Sequence, residues 1–402
     1  MVTEPVDGDT PSNDDRRRLA PPLPAAWRWG FPAFLVVALV WAGVLLVDGL
    51  STVLDSEGGE TREAVTDPSA PGFEAFVEQT WSMLVATEDD GGELVQVAVV
   101  AATDRVGGGG TIFLAPPEVM AQGCEASPCR LAERHREGGI DHVRETVTRL
   151  LEVEVTAAVL MTPDRWTSLA GPASPVPVDL PIDLVATASD GTSVVRFPAG
   201  RVNVAPSDVV DLLAFPDGAD GLRRLERQSA WWAAWLVRVG TGDPLENLPN
   251  LELDLVDLMA LVARGSVRLV DSPWTAAGTD LVPQLVADKG TLADLAVQMF
   301  PFPIPLVPGQ RPTVRLLNGT GDPSLDSPAR ERILRAGVDL SVVGNYRHDG
   351  VIQTRVVYRD PVLAGAANDL AAALGGGTLF DENASPVADL TVVIGADFWP
   401  AG

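Results

Sequence analysis

From Trp29 to Val47 the chain reads WGFPAFLVVALVWAGVLLV, 19 residues without a charge between Arg28 and Asp48. As a helix this run rises about 28 Å, close to the hydrocarbon thickness of a bilayer. It has no polar face to turn toward water, and Trp27, Trp29 and Trp41 lie in or beside it, as interfacial aromatics do. The run predicts a transmembrane helix; a core helix buried on every side is the alternative. Arg16, Arg17, Arg18 and Arg28 precede it, whereas Asp48, Asp55, Glu57, Glu60, Glu63 and Asp67 follow with only Arg62 opposing them. The positive-inside rule then puts the N-terminus in the cytoplasm and everything from about residue 49 outside it. A cleaved signal peptide competes, but the segment before the run is long and no clear A-x-A site follows.

The chain has 402 residues, more than one ordinary domain needs, and 46% of them are hydrophobic, enough for a core. Its 29 basic against 55 acidic residues leave a net charge of −26, which excludes a general nucleic-acid binder. Lys289 is the single lysine; the other basic residues are arginine, the codon bias of a GC-rich bacterial genome, and lysine catalysis has almost no candidates.

Residues 1–28 read as a disordered cytoplasmic tail and 48–75 as a polar extracytoplasmic stalk. Folding resumes near Phe73, and 76–300 form the larger module. Five prolines in Pro301–Pro312 forbid a helix and predict an extended linker over 301–312. Acidity concentrates in the larger module: residues 49–310 hold 17 basic and 38 acidic side chains, residues 311–402 only 8 and 11.

The larger module opens with two or three apolar strands across SMLVATEDDGGELVQVAVVAATDRVGGGGTIFLAPP. IDHVRETVTRLL then places Ile140, Val143, Val147, Leu150 and Leu151 on one helical face, which implies an α/β domain of a layered sheet with flanking helices. The last module, 313–398, alternates β-branched runs with capped helical runs: strand TVRLLNG, helix SPARERILRAG, strands VDLSVVGN and QTRVVYRD, a helix from Pro361 to Leu374, and strand ADLTVVIGAD. That order predicts a small α+β domain. Ser327 and Asp360 are the expected N-caps, each ahead of a proline, with Gly337 and Gly375 the expected stops.

Chemistry is sparse. Cys124 and Cys129, outside the cytoplasm, are expected to form a disulfide closing a short loop; His135 and His142 follow closely, but the spacing fits no standard zinc pattern. Gly107–Gly110 joins two strands and lacks the GK[ST] ending of a phosphate loop, so it reads as a hairpin turn. GLRRLERQ opens a helix on which Arg224 and Arg227 are three apart and Arg223 and Arg227 four apart. Such a fork can grip an anionic ligand, since guanidinium matches phosphate oxygens bidentately; pairing with Glu226 or Asp220 is the equal alternative. Trp231, Trp232 and Trp235 on the same helix are candidates for lining a lipid pocket, against the default of core packing.

These pieces together resemble the LytR-CpsA-Psr family. VRLLNGTG, AGVDLSVVGN, TRVVYRD and VVIGADF over about 311–398 resemble the LytR C-terminal domain in order and spacing. A looser resemblance over about 76–300 rests on strand order, GGIDHVRETVTRLLEVEVTAAVLM and LRRLERQSAWW. The resemblance implies a phosphotransferase moving an anionic glycopolymer from a polyprenyl-pyrophosphate carrier to peptidoglycan, with Mg2+ held by acidic residues and arginines on the pyrophosphate. This chain departs from the pattern where those charges belong. Pro117 stands in place of the arginine after the second core strand and Glu118 in place of the aspartate; Glu93 is the sole substitute for a metal-binding aspartate; Val210–Gly218 holds no arginine. Arg224 and Arg227 alone map onto the family's arginines.

The expected protein is therefore a single-pass cell-envelope protein of the cytoplasmic membrane with both modules outside. It carries a catalytically degenerate LytR-CpsA-Psr-like domain that binds or assists in cell-wall glycopolymer assembly, with no catalytic residue, metal or cofactor. Its expected partners are the membrane, a polyprenyl-phosphate lipid or cell-wall glycopolymer, and envelope proteins. The alternative is an active phosphotransferase using Mg2+, its site rebuilt from Glu93, Glu118, Arg223, Arg224 and Arg227.

Overall fold

The computed structural model describes residues 65–398, apart from 126, 189, 217–220, 251–253, 278 and 280–282. The expected tail, the span at 29–47 and most of the stalk lie outside the described residues. Among the described residues no helix is long and apolar enough to cross a membrane.

The chain begins with β1 (Glu74–Phe76), β2 (Ser82–Glu88), β3 (Leu94–Ala102) and β4 (Gly110–Ala115), then α1 (Leu131–Leu151), β5 (Ala157–Met161) and α2 (Pro163–Ala170). Four short strands follow, β6 (Val176–Leu180), β7 (Leu184–Thr187), β8 (Ser193–Phe197) and β9 (Gly200–Val204). Helices α3 (Val209–Ala214), α4 (Leu222–Val239) and α5 (Asp254–Ala263) lead to β10 (Val267–Val270), β11 (Thr275–Ala276), β12 (Leu285–Val286) and α6 (Lys289–Met299). The remainder is β13 (Thr313–Asn318), α7 (Asp326–Arg335), β14 (Asp339–Asn345), β15 (Arg355–Tyr358), α8 (Ala364–Leu374), β16 (Gly377–Phe380) and β17 (Leu390–Ile394).

The fold is mixed α/β. A five-stranded sheet, ordered β10-β4-β3-β2-β5, forms the heart of the larger module. Its hairpins β2–β3 and β3–β4 are antiparallel, while β5 and β10 add in parallel at the two edges. All nine residues of β3, LVQVAVVAA, are buried, so both faces of the sheet are covered. Helix α1 packs on β3 and β5, and α3, α4 and α5 pack on β3, β4 and β10. The apolar run, broken only by Gln96, is what a strand enclosed on both faces requires.

Helix α1 begins nine residues earlier than the expected start at Ile140, and it breaks at Gly138–Gly139. Gly139 has φ 63 and ψ −153, a region closed to side-chain-bearing residues, and a Cβ on Gly138 would lie 2.1 Å from the His142 ring. The helical face of 140–151 was visible in its apolar spacing; the charged turn before the break was not.

The second sheet, ordered β1-β14-β13-β17-β15-β16, has α7 and α8 on one face. Val314, Leu316, Val356, Leu390, Val392 and Ile394 meet Ala329, Ile333, Leu370 and Leu374 in its core. Gly337 and Gly375 follow α7 and α8 in left-handed backbone, as expected of helix stops. Asp360 caps a 3-10 turn that leads into α8, accepting from Val362 N at 2.9 Å. Ser327 is not an N-cap: α7 starts at Asp326, and Asp322 caps the preceding turn through Ser324 N.

Two boundaries differ from the sequence expectation. Residues 74–76, assigned to the end of the stalk and the start of the larger module, pair antiparallel with β14 as an edge strand of the C-terminal sheet. The 301–312 segment is not a free spacer at its start. Phe302 exchanges hydrogen bonds with Thr80, its N donating to Thr80 Oγ1 at 2.9 Å and its O accepting from Thr80 N at 2.8 Å. Ile304 O accepts from Glu154 N at 3.0 Å, α6 packs on α7, and Arg335 pairs with Asp294 at 2.9 Å. The described residues from Val65 onward accordingly form one compact unit.

Four tryptophans pack together between α2 and α4. Trp166, Trp231, Trp232 and Trp235 have no solvent exposure. Trp231 and Trp235 stack at 5.5 Å, and Trp166 meets Trp231 edge-on at 4.9 Å, geometries that aromatic quadrupoles favour. Trp166 Nε1 donates to Thr87 Oγ1 at 3.0 Å and Trp232 Nε1 to Gln96 Oε1 at 3.1 Å, which ties both helices to β2 and β3. Truncating one of these indoles leaves a cavity the surroundings cannot fill. Trp231→Ala should therefore lose about 3–5 kcal/mol of stability, read as a lower urea midpoint of the full chain in detergent; an unchanged midpoint refutes the packing.

Candidate functional site

Helix α4 positions the three candidate arginines, and the fold sends them in different directions. Its N-terminus follows Gly221, at φ 70. A Cβ there would stand 3.1 Å from Glu118 Oε2 and 3.2 Å from Arg224 Nη2, so the glycine makes room for an ion pair. Arg224 Nη2 donates to both Glu118 oxygens, at 2.7 and 2.6 Å, and both side chains are mostly buried.

Arg227 lies on the same side of the helix but points elsewhere. It is 4% exposed; its Nε donates to Leu212 O at 2.8 Å and its Nη2 to Phe215 O. Those carbonyls end α3, where helical acceptors have no intrahelical donors, so Arg227 caps α3. Its guanidinium also lies over the Phe215 ring, 6.0 Å from the centroid. Arg223 is exposed. Arg223 and Arg227, with Asp179 and Glu226, line a cavity of about 310 Å³ whose other walls are Leu180, Pro181, Ile182, Leu184 and Ala230. The predicted fork is thus split between a carboxylate, a helix end and a cavity rim.

The three tryptophans of α4 are core, not pocket. They turn inward against Trp166, and none of them lines the three cavities described for this molecule. The i, i+1, i+4 spacing placed them on one face correctly, but it could not say whether that face meets a void or a fourth indole.

A second charged group, not anticipated from the sequence, surrounds the start of α1. Arg130 makes two bonds to Glu133, at 2.8 and 2.6 Å. Arg136 reaches Glu93 at 3.0 Å through Nε and Glu133 at 3.2 Å. Arg134, 5% exposed, donates to Gly123 O at 2.8 Å and Glu145 at 3.2 Å, and His135 Nε2 lies 3.4 Å from Glu88. The bonds to Glu133 hold the Arg130 guanidinium more firmly protonated than usual, with Glu118 adding a weaker attraction. Arg130 in return holds the Glu133 carboxyl below the ordinary glutamate value, and Glu93 raises Arg136. Carboxylates and guanidiniums therefore alternate from Arg224 through Glu118, Arg130, Glu133 and Arg136 to Glu93. The i, i+3 repeat in RLAERHRE was the available signal for the pairs within α1.

This geometry does not fit a magnesium site built from Glu93 and Glu118. Each carboxylate is engaged by an arginine, and among the described residues no three acidic, histidine or cysteine groups converge on a point. Pro117 carries no charge to the site; its carbonyl accepts from Ala132 N at 3.0 Å and seats the start of α1. Cys124 and Cys129 are joined as expected, which removes both thiolates from any Cys2His2 arrangement. Gly107–Gly110 lies in the β3–β4 connection, opening no helix.

Residues 311–398 match the family model described as "LytR cell envelope-related transcriptional attenuator". This C-terminal module is a LytR C-terminal domain. Among solved structures, TagV of B. subtilis is similar at 14% identity and a TM-score of 0.44, over 56% of this chain and 96% of that one. TagT of B. subtilis is similar at 16% identity and a TM-score of 0.45, over 61% and 96%. A LytR-CPS2A-psr family protein solved with bound octaprenyl pyrophosphate lipid gives 16% and 0.44, over 61% and 95%. No curated protein sequence matches this chain.

Because the folded-state pKa of Glu133 lies below its unfolded value, its contribution to stability is complete above the ordinary glutamate range and is lost as pH falls through the folded value. Wild type should exceed Glu133→Gln in stability most at neutral pH. The gap should close as pH falls through and below the ordinary glutamate range, measured by urea unfolding across pH; a gap independent of pH refutes the pairing.

Proposed function

We propose that this chain, whose C-terminal module belongs to the LytR C-terminal domain family, is a membrane-anchored cell-envelope protein. Its larger module is a catalytically degenerate LytR-CpsA-Psr-like domain, and it acts as a binding or accessory component in cell-wall glycopolymer assembly. The observation that carries this reading is the internal neutralisation of the arginines that the family-like helix retains. Arg224 is spent on Glu118 and Arg227 on the carbonyls of α3. A pyrophosphate leaving group needs cationic donors free at the oxygens where charge develops, each worth about 2.7–4 kcal/mol of barrier, and here those donors face partners within the fold.

Placement outside the cytoplasm, with the N-terminus inside, is supported by the uncharged run at 29–47 and its flanking charges. A disulfide between Cys124 and Cys129 accords with an oxidising compartment. Binding of a polyprenyl-phosphate lipid or glycopolymer would fall to exposed Arg223 and the cavity beside it, where an apolar wall of Leu180, Pro181, Ile182 and Leu184 meets a rim that also holds Arg227, Asp179 and Glu226.

The full chain in detergent, given a polyprenyl-pyrophosphate-linked glycopolymer, peptidoglycan and Mg2+, is expected to transfer nothing; robust turnover overturns the degenerate reading. Polyprenyl phosphate should nonetheless raise its melting temperature, and Arg223→Ala should abolish that rise. A rise absent in wild type assigns the chain to protein contacts instead. Glu118→Gln should cost about 1.5–3 kcal/mol of stability and strengthen binding of inorganic pyrophosphate by freeing Arg224. Unchanged pyrophosphate binding would mean that Glu118 does not occupy that guanidinium.

A further inference from the structure

The chain leaves the proposed anchor and enters the described fold at the C-terminal module, not at the larger one. Asn345 Nδ2 donates to Pro68 O at 2.8 Å and Ala70 O at 3.0 Å, and Gly72 N donates to Tyr346 O at 3.2 Å. β1 then pairs with β14. Residues 48–64 separate the end of the apolar run from this point. The β14–β15 connection lies beside residues 68–72, among the first described residues after the apolar run.

That connection together with the first residue of β15, YRHDGVIQTR from Tyr346 to Arg355, combines cationic, aromatic and exposed aliphatic side chains. Ile352 is 75% exposed. Arg347 and Arg355 both lie over the Tyr346 ring, 5.5 Å from its centroid, and His348 meets it edge-on at 4.9 Å. Asp349 is the one acid within it, and nearby Asp397 is turned to Thr354 N at 2.7 Å. Tyrosine, arginine and an exposed aliphatic side chain suit the headgroup region, where each has a partner.

Charge distribution supports the same orientation. With 32 acidic against 16 basic residues in 76–310, the larger module is repelled by an anionic lipid surface; with 11 against 8, residues 311–402 are nearly neutral. The least costly approach to such a surface is through the C-terminal module, and in this loop Arg347 and His348 stand beside exposed Ile352.

We propose that the Tyr346–Arg355 loop docks on the anionic phospholipid surface of the membrane that holds the anchor, orienting the larger module away from it. This rests on the reading of 29–47 as a membrane anchor.

The test reconstitutes the full chain in phosphatidylcholine vesicles with or without phosphatidylglycerol, the lipids carrying a headgroup-depth quencher. A fluorophore is placed on Gln353→Cys in the loop or on Val237→Cys, exposed on α4; the native cysteines are bonded to each other. Quenching at 353 should exceed that at 237 in phosphatidylglycerol vesicles only. It should fall to the level of 237 in high salt or in Arg347→Glu/Ile352→Asp, whose exposed positions leave the fold intact. Equal quenching at the two positions, or no dependence on phosphatidylglycerol, overturns the proposal. Failure of the chain to float with phosphatidylcholine vesicles overturns the anchor instead. In that case, flotation with phosphatidylglycerol vesicles that Arg347→Glu/Ile352→Asp abolishes supports the loop, and no flotation refutes it.

Discussion

Four indoles with no access to solvent lock α2 to α4, and through Thr87 and Gln96 they lock both helices to β2 and β3. Because that packing fixes the rotation of α4 about its axis, it also fixes where the arginines at its start can point. Arg224 emerges toward the end of β4 and meets Glu118; Arg227, one turn on, emerges toward α3. A dry, interdigitated core of this kind admits few alternatives, since rotating the helix would expose indoles and bury charge. The site's electrostatics are in this sense a consequence of the core.

What the core presents is a charge-compensated surface. Arg224 pairs with Glu118; Arg130, Glu133, Arg136 and Glu93 pair in series; and buried Arg134 is bound by a backbone carbonyl and Glu145. Partly buried ion pairs of this geometry hold their members by removing alternatives: an incoming anion must displace a carboxylate already desolvated with its guanidinium. Here the folded chain itself supplies the anions that face Arg224, Arg130 and Arg136.

The two modules are joined more tightly than a proline-rich connection suggests. β1 belongs in sequence to the end of the stalk and the start of the larger module and in space to the C-terminal sheet, and Phe302 and Ile304 are bonded to the larger module within the proline-rich segment. The chain thus crosses between the modules twice, at each end of the larger one, and the crossings brace each other. Entry of the chain alongside β14 also gives the C-terminal module a position that its place last in the sequence does not suggest.

Periodicity and local chemistry settle locally determined features. The buried strands β2, β3 and β4, the apolar face of 140–151, the glycine stops at 337 and 375, the short disulfide and the α+β character of 313–398 were legible because each follows from neighbours within a few residues. The uncharged run at 29–47 was equally plain, and it stays a property of the sequence. Ser327 misled because a capped turn ahead of it had already begun the helix, and β1 was hidden because three residues carry no period. The partners of Arg224, Arg227 and the tryptophans were decided only in three dimensions. Glu118 lies 106 residues from Arg224 and Gln96 lies 136 from Trp232; a helix's spacing tells which side chains share a face, and only packing tells what that face meets.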